Sequence, residues 1–285
     1  MTPAKILAGM LAVALLIALA ASAASGPVYQ APRAYYLALG DSIAYGFQPG
    51  KQRAGLPPSG FNTGYVDVFA ARLRAVAPKL RIVNYACPGE STKTFIEGGC
   101  SGRGDVKGLH NAFKGAQLDA ALAFLRAHRG QVGPITLTLW GNDVFEFSPA
   151  CKGDLLCTRS HAKAGLARFA SRLDSIVGML RAAAPKAEII LSGAWNFDVE
   201  HLAQTDPLFR SIDATIVRVA AARKARVAKM YPVFSPSPVG NPARARARIC
   251  ALTFICSKGD PHPTDAGYRA MAAAFLAASG YKSHA

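Results

Sequence analysis

The most informative segment of this chain is Tyr35-Tyr36-Leu37-Ala38-Leu39-Gly40-Asp41-Ser42-Ile43. Its apolar, β-prone first half predicts a buried strand, and the Gly-Asp-Ser that follows places the Ser42 hydroxyl at the carboxyl end of that strand. In open α/β sheets, ligands and chemistry collect at this end. Ser42 is therefore a candidate nucleophile, provided that a base and an oxyanion site can reach it.

Strands and helices alternate along the rest of the chain. The predicted strands cover residues 35–39, 79–86, 135–140, 187–192 and 227–233. The predicted helices cover residues 64–77, 117–128, 162–184, 206–224 and 264–279, and residues 87–113 are predicted to form a long glycine-rich loop. This alternation is typical of an α/β protein with a parallel sheet that helices cover on both faces.

Residues 1–23 have the pattern of a signal peptide. Lys5 precedes the apolar stretch 6–20, and Ala21-Ser22-Ala23 is a small-x-small cleavage site. The alternative is a membrane anchor, but the apolar core is shorter than the roughly 20 residues that a spanning helix needs. We expect a secreted protein, outside the cell or at the exterior of its envelope, with no membrane span after cleavage. Residues 24–34 would form an irregular leader and residues 35–285 a single domain.

The six cysteines are an even number, which in an exported chain predicts disulfides. They offer three local pairs, although other connectivities are possible: Cys87–Cys100, Cys151–Cys157 and Cys250–Cys256. A zinc site would need close Cys-x-x-Cys spacing or histidine partners, and the sequence has neither, so we expect no metal.

The formal net charge is +16, and much of it lies in residues 218–226 and 243–248. One interpretation is attraction to anionic lipid or polysaccharide of the cell envelope. The interpretation that we favour is a solvated helix face followed by a basic loop. Nucleic acid is not an expected partner, because no recognition motif accompanies the charge.

Three further segments supply groups for acyl transfer. His262 is flanked by Pro261 and Pro263, which restrict its backbone just before the last helix, so it is the candidate base. Gly89 has no side chain, so its N–H can approach a developing oxyanion closely. The side-chain amide of Asn142, directly after a predicted strand, can donate to the same oxyanion.

Together, Gly40-Asp41-Ser42-Ile43, Gly89, Gly141-Asn142-Asp143 and His262-Pro263 resemble the four ordered sequence blocks of the SGNH (GDSL-type) hydrolase superfamily, over roughly residues 35 to 280. The paired cysteines further resemble those of its secreted bacterial lipases and esterases. The resemblance implies a flavodoxin-like three-layer α/β/α sandwich with a five-stranded parallel sheet, and catalysis without metal or cofactor. It also implies Ser42 as nucleophile, His262 as base, and an oxyanion hole made by the N–H groups of Ser42 and Gly89 and the side chain of Asn142.

One block departs from the family pattern. The acid that orients the histidine normally lies three residues before it, where this sequence has Gly259. Asp260 is one residue closer and is the candidate acid, while the alternative is a backbone carbonyl, as in some members of the superfamily. Asp265 lies in the first turn of the last helix, where a carboxylate has an ordinary capping role, and we do not expect it to be catalytic.

The main functional hypothesis is a secreted serine esterase or lipase that acts on a small-molecule or lipid ester through an acyl-Ser42 intermediate. The alternatives are a polysaccharide O-deacetylase on the same fold and a non-catalytic exported binding protein. Five loop phenylalanines favour an acyl chain as the ligand, although each could simply be packing: Phe47, Phe61, Phe95, Phe145 and Phe147. Each disulfide is expected to hold a loop that carries one catalytic group.

Overall fold

A five-stranded parallel sheet forms the centre of the protein in the computed structural model, which describes residues 31–281. Its strands are β1 (Tyr35–Gly40), β2 (Arg81–Asn84), β3 (Val132–Thr138), β4 (Ile189–Ser192) and β5 (Arg226–Ala228). They lie in the order β2-β1-β3-β4-β5. After β2 the chain therefore crosses back over β1, and β3, β4 and β5 follow on the other side of it. The predicted signal peptide 1–23 and leader residues 24–30 lie outside the described residues.

The sheet is buried because its strands are nearly continuous apolar runs, as expected for a sheet that is covered on both faces. Leu37 of β1 pairs with Val83 of β2 on one side and with Ile135 of β3 on the other. Every residue of β3 is buried. Ile135 of β3 pairs in turn with Ile189 of β4, so the apolar centre of the sheet continues into β4.

The helices within residues 31–281 are α1 (Ser42–Tyr45), α2 (Pro49–Arg53), α3 (Tyr65–Leu73), α4 (Thr92–Glu97), α5 (Gln117–Ala127), α6 (Asp143–Glu146), α7 (Leu155–His161), α8 (Lys163–Ala183), α9 (Leu202–Ala222), α10 (Tyr231–Phe234), α11 (Pro242–Leu252), α12 (Ile255–Lys258) and α13 (Asp265–Ala278). Three 3₁₀ turns lie at Pro58–Phe61, Ser101–Asp105 and Pro149–Cys151.

The long helices form two layers. Helix α3 packs against α13, while α5 packs against α8, and α8 packs against α9. With the sheet between them, these layers make a three-layer α/β/α sandwich with a flavodoxin-like strand order. The predicted fold class is therefore confirmed.

Several element boundaries differ from the sequence-based expectation. The segment 87–113 is not one loop, because it contains α4 and a 3₁₀ turn. Helix α9 begins at Leu202 and includes Pro207 in its second turn, where the missing N–H removes one i→i−4 hydrogen bond, to the Ala203 carbonyl. The fifth strand is confined to β5, and α10 occupies most of the remaining expected strand.

The basic segment 243–248 lies within α11 and is not a loop. Asn241 caps this helix by accepting a hydrogen bond from the Arg244 N–H, and Pro242 occupies the first turn. After α11 the chain forms a two-stranded antiparallel hairpin from β6 (Thr253–Phe254) and β7 (Asp260–Pro263), which the sequence analysis missed. This hairpin carries His262.

None of the helices in residues 31–281 combines the length and apolar character needed to cross a bilayer.

Candidate active site

Ser42 is the first residue of α1, immediately beyond the carboxyl end of β1. Asp41 caps this short helix by accepting a hydrogen bond from the Ile43 N–H at 3.0 Å, and it also accepts one from the Thr138 hydroxyl at 3.0 Å. Gly40 adopts φ +127°, and a Cβ at this position would lie 2.2 Å from the Thr138 carbonyl oxygen. The turn that presents Ser42 therefore requires glycine and is fixed to the neighbouring strand β3.

His262 lies on the hairpin strand β7, with its ring beside Ser42. The ring Nε2 is 2.8 Å from the Ser42 Oγ, and the ring Nδ1 is 2.7 Å from Oδ1 of Asp260. The Phe47 ring lies 4.6 Å from the imidazole, centroid to centroid, and restricts its tilt. The structure thus brings the three candidate residues of a catalytic triad into one hydrogen-bonded chain.

Asp260 is placed to act as the anionic member of this chain. Burial by itself raises the pKa of the Asp260 carboxyl, but the hydrogen bonds and charge of His262 outweigh it and hold the pKa below its ordinary value. An ionised carboxylate can only accept hydrogen bonds, so the His262 Nδ1 is the donor and its Nε2 is free to accept the Ser42 proton. Asp265 makes no hydrogen bond to His262; its Oδ1 accepts hydrogen bonds from Gln48 and Thr63.

The two loops that hold the candidate oxyanion donors are joined to each other. The Asn142 side-chain amide donates to the Glu90 carbonyl oxygen at 2.8 Å, which leaves its second N–H available. Gly89 adopts φ +75°, and a Cβ there would lie 2.3 Å from the Ser101 Oγ. Within residues 31–281, the N–H groups of Ser42 and Gly89 donate to no acceptor. Three N–H donors without an acceptor among the described residues therefore lie beyond the carboxyl ends of β1, β2 and β3.

A buried glutamine that the sequence analysis missed supports this arrangement. Gln117, fully buried at the start of α5, accepts from the Gly40 N–H at 2.7 Å and donates to the Gly40 carbonyl at 2.9 Å. Its amide also donates to the Glu90 carboxyl at 2.7 Å. Burial raises the pKa of Glu90 to about 7. Gln117 therefore connects the nucleophile turn to the loop of Gly89. A polar residue at the first position of an apolar helix was the only signal for it in the sequence.

A second buried carboxyl joins the same loops from the other side. Asp143, two per cent exposed, accepts hydrogen bonds from the N–H and the hydroxyl of Thr92 at the start of α4. Burial raises its pKa to about 7. Its contacts make Asp143 a link between the Asn142 loop and the helix that follows Gly89.

A cleft opens beside Ser42 and His262. It has a cavity volume of about 120 Å³, and its walls are largely aromatic: Trp140, Phe145, Trp195 and Phe197. Of the five phenylalanines considered from the sequence, only Phe145 lines this cleft. Phe61, Phe95 and Phe147 are core residues, because each is at most four per cent exposed. The aromatic residues after β4 had no assigned role in the sequence analysis.

The structure joins the cysteines in the three local pairs, Cys87–Cys100, Cys151–Cys157 and Cys250–Cys256. The first lies two residues before Gly89, and the third begins in α11 and ends in α12, just before the His262 strand. Two clusters among the described residues have the spacing of metal ligands, Cys151–Cys157–His161 and Cys87–Glu90–Cys100. Both depend on cysteines that are oxidised to disulfides, so the thiolates that a metal would need are absent from them.

Comparison with known proteins identifies the family. The GDSL-like lipase/acylhydrolase family matches residues 38–270, most of the chain. No curated protein matches the chain in sequence.

Solved structures share the fold. One is LAE5, an alpha/beta hydrolase enzyme from the metagenome of Lake Arreo, which is 20% identical with a TM-score of 0.57; the match covers 89% of this chain and 98% of LAE5. Another is Axe2, an acetylxylan esterase from Geobacillus stearothermophilus, which is 18% identical with a TM-score of 0.56; the match covers 87% of this chain and 94% of Axe2. With the family match over residues 38–270, the chain belongs to the GDSL-like lipase/acylhydrolase family of ester hydrolases.

Proposed function

We propose that this protein is an exported serine hydrolase of short-chain carboxylic esters. The observation that carries the proposal is the hydrogen-bonded chain from Ser42 through His262 to Asp260, at 2.8 and 2.7 Å, beside a cleft with unengaged donors. A serine hydroxyl is a weak nucleophile until a base takes its proton, and the His262 Nε2 is within reach to do so.

In the proposed mechanism, the Ser42 Oγ attacks the ester carbonyl while its proton passes to His262. The charge that develops on the carbonyl oxygen is stabilised by the N–H groups of Ser42 and Gly89 and by the Asn142 amide. The imidazolium, held by Asp260, then protonates the departing alcohol and leaves an acyl-Ser42 ester. Water, deprotonated by His262, attacks this ester, and release of the carboxylic acid restores the Ser42 hydroxyl.

The size of the cleft supports a short acyl group. Its volume of about 120 Å³ is somewhat smaller than the roughly 150 Å³ of an engineered cavity that holds one benzene molecule, so it accommodates a group of a few carbon atoms. The aromatic walls favour an apolar group, and Trp140 and Trp195 meet edge to face at 4.8 Å, so the wall between them is firmly packed. A long acyl chain would extend out of this cavity.

The same volume favours a second candidate, the removal of acetyl groups from a polysaccharide. An acetyl group is the smallest common acyl group, and the fold is shared with an acetylxylan esterase. On this candidate the acetyl group occupies the aromatic cavity and the sugar lies outside it. The two candidates use the same catalytic residues and differ only in the alcohol.

The deciding experiment is a p-nitrophenyl ester series from acetyl to long acyl chains, with the wild type, Ser42→Ala and Ser175→Ala. Ser175 is an exposed serine in α8, so it provides the same substitution away from the cleft. We expect kcat to fall on the order of 10⁶-fold in Ser42→Ala alone. Equal activity in all three proteins would exclude the proposal. Activity that rises steadily with chain length would exclude the short-acyl assignment.

Acetate release from acetylated xylan, compared with p-nitrophenyl acetate, separates the two candidates. Faster turnover of the polymer supports the deacetylase, and absence of release supports a small-ester hydrolase. Export is tested separately. Cleavage after Ala23 predicts a secreted protein whose first residue is Ala24, which mass spectrometry of the culture medium can identify.

A further inference from the structure

The edge of the sheet opposite the active site is strongly basic. Short segments lead into the amino ends of the five strands, at residues 33–34, 74–81, 126–131, 181–188 and 223–226. We call their cations the basic face: Arg33, Arg74, Lys79, Arg81, Arg126, Arg129, Arg181, Lys186, Arg223, Lys224 and Arg226. In these segments the only acidic residue is Glu188, which is buried and lies 3.4 Å from Arg226.

Contacts between the segments make this face continuous. The Arg81 N–H donates to the Ala34 carbonyl at 3.0 Å, and the Arg33 guanidinium donates to the Gly130 carbonyl at 2.7 Å. On the far side, the Arg181 guanidinium donates to the Lys224 carbonyl at 2.9 Å.

Two grooves on the same edge share Arg33. One, of about 670 Å³, is also lined by Lys79 and Arg81, and the other, of about 540 Å³, is also lined by Arg129 and Lys186. The cations of neighbouring segments therefore border common space.

Ordinary structural roles account for part of this charge. Arg74 and Arg181 lie at the carboxyl ends of α3 and α8, where a cation offsets the helix dipole. Their guanidinium groups donate to the Leu80 and Ala187 carbonyl oxygens in the segments before β2 and β4. Arg223 pairs with Asp174 at 2.6 Å. The Arg81 guanidinium lies over the Tyr35 ring, 4.1 Å from its centroid. Five other exposed cations donate no side-chain hydrogen bond and form no ion pair with any residue in 31–281: Lys79, Arg126, Arg129, Lys186 and Lys224. Their clustering on one edge calls for a partner.

We propose that the basic face binds the surface of an anionic lipid bilayer. Lys and Arg side chains near such a surface are attracted to its phosphate headgroups, each by about 1 kcal/mol. The active site lies at the carboxyl end of the sheet, so a protein docked in this way directs its cleft away from the lipid. It would hold the hydrolase at the membrane while it acts on esters outside the bilayer, an assignment that rests on the proposed function.

The spread of these cations favours a bilayer over a single polymer strand as the partner. Lys79, Arg129, Lys186 and Lys224 lie on the segments that lead into β2, β3, β4 and β5, and so extend from one side of the sheet to the other. Neighbouring strands are about 4.8 Å apart, so the five-stranded edge is about 19 Å wide. A flat anionic surface can contact all of these cations at once.

The test is co-sedimentation of the mature protein with vesicles of phosphatidylglycerol and phosphatidylcholine, against vesicles of phosphatidylcholine alone. A triple variant, Lys79→Gln, Arg129→Gln and Lys186→Gln, removes three cations that make no hydrogen bonds with the described residues. The matched control removes three exposed cations elsewhere, by Lys114→Gln, Arg244→Gln and Arg246→Gln. Both variants have the same net charge.

We expect salt-sensitive binding to the anionic vesicles only, weakened about 10- to 100-fold in the basic-face variant and much less in the control. Equal weakening in both variants would show that net charge alone is responsible and would overturn the proposal. So would retention on heparin without binding to vesicles, which would identify an anionic polymer as the partner.

A second measurement tests the orientation and keeps the two proposals apart. Vesicle-bound protein should hydrolyse a soluble p-nitrophenyl ester as fast as free protein. Loss of this activity on binding would place the cleft against the lipid and overturn the docking proposal. A protein without esterase activity that still binds through the basic face would refute the proposed function and leave the docking surface supported.

Discussion

Oδ1 of Asp260 accepts two hydrogen bonds from His262, from the backbone N–H at 2.8 Å and from the ring Nδ1 at 2.7 Å. Both residues lie on the short strand β7. In a strand, side chains two residues apart project from the same face, whereas those three apart project from opposite faces. An acid one residue closer than the family pattern can therefore still reach the imidazole, because the backbone here is extended.

Replacement of Asp260 with Asn should lower kcat by about 10⁴-fold if the carboxylate orients and charges the imidazole, with a smaller change in KM. The amide keeps the shape of the side chain but cannot stabilise the imidazolium. The matched variant is Asp265→Asn, five residues further on and not hydrogen-bonded to His262, which should retain most of the activity. If Asp260→Asn loses less than about tenfold, a backbone carbonyl orients the base instead.

Replacement of Asn142 with Ala should lower kcat about 10²- to 10³-fold and leave KM close to its original value, because the amide would stabilise charge only in the transition state. Asn62→Ala, an exposed asparagine without side-chain hydrogen bonds to the described residues, is the matched control. Steady-state kinetics on one p-nitrophenyl ester measure both. A rise in KM with kcat unchanged would assign Asn142 to substrate binding.

The buried Glu90 carboxyl should make the protein less stable as the pH rises. Its pKa is raised by burial from 4.5 to about 7, so the folded state holds a proton that the unfolded state has lost between these values. The resulting stabilisation is complete below pH 4.5 and is lost as the pH rises through 7. Glu90→Gln should remove this contribution to the slope of the unfolding free energy against pH. The contribution is at most about 1.4 kcal/mol per pH unit.

Urea unfolding at pH 5, 6, 7 and 8 measures that slope. Glu97→Gln, on an exposed glutamate in the same segment, should leave it unchanged. An unchanged slope in Glu90→Gln would mean that this carboxyl is ionised in the folded protein across the whole range.

Removal of the Cys87–Cys100 disulfide should affect both stability and catalysis. The bond closes a separation of 13 residues, worth about 3 kcal/mol in the chain-entropy model, and it begins two residues before Gly89. The variant with both cysteines replaced by serine should therefore melt at a lower temperature. Its kcat should also be reduced at temperatures at which the variant is still folded.

The Cys151–Cys157 bond, with a separation of 6 residues, is the comparison for this effect. Its double serine variant should lose about 2 kcal/mol of stability with a smaller loss of kcat. Equal kcat in both variants and the wild type would limit the role of the first disulfide to stability.

The fold could be predicted because its signals are local. The apolar run 35–39 ends in Gly-Asp-Ser, and helical and strand periodicities alternate after it. The hairpin of β6 and β7 was missed because its strands are short and one of them, Asp260-Pro261-His262-Pro263, contains two prolines. Prolines disfavour a ladder in the interior of a sheet but are tolerated in a short edge pair such as this one.

The candidate site was predictable only in part. Ser42, Gly89, Asn142 and His262 each follow a strand or precede a helix in an ordered motif. Gln117 carries no motif, and its role depends on the burial of its amide between Gly40 and Glu90, which lie 77 and 27 residues away. Residues whose function is to satisfy buried polar groups are recognisable only once the packing is known.

Short-range patterns along the chain were sufficient to predict the α/β class, the family and the identity of the candidate nucleophile and base. Only the folded chain shows that His262 meets Ser42, which aromatic residues form the cleft beside them, and that eleven scattered cations form one face. Each of these depends on distances between residues far apart in sequence, which the register of the parallel sheet fixes by bringing all carboxyl ends to one edge and all amino ends to the other. The Gly40-Asp41-Ser42 turn is therefore a local pattern whose chemistry depends on a histidine 220 residues away.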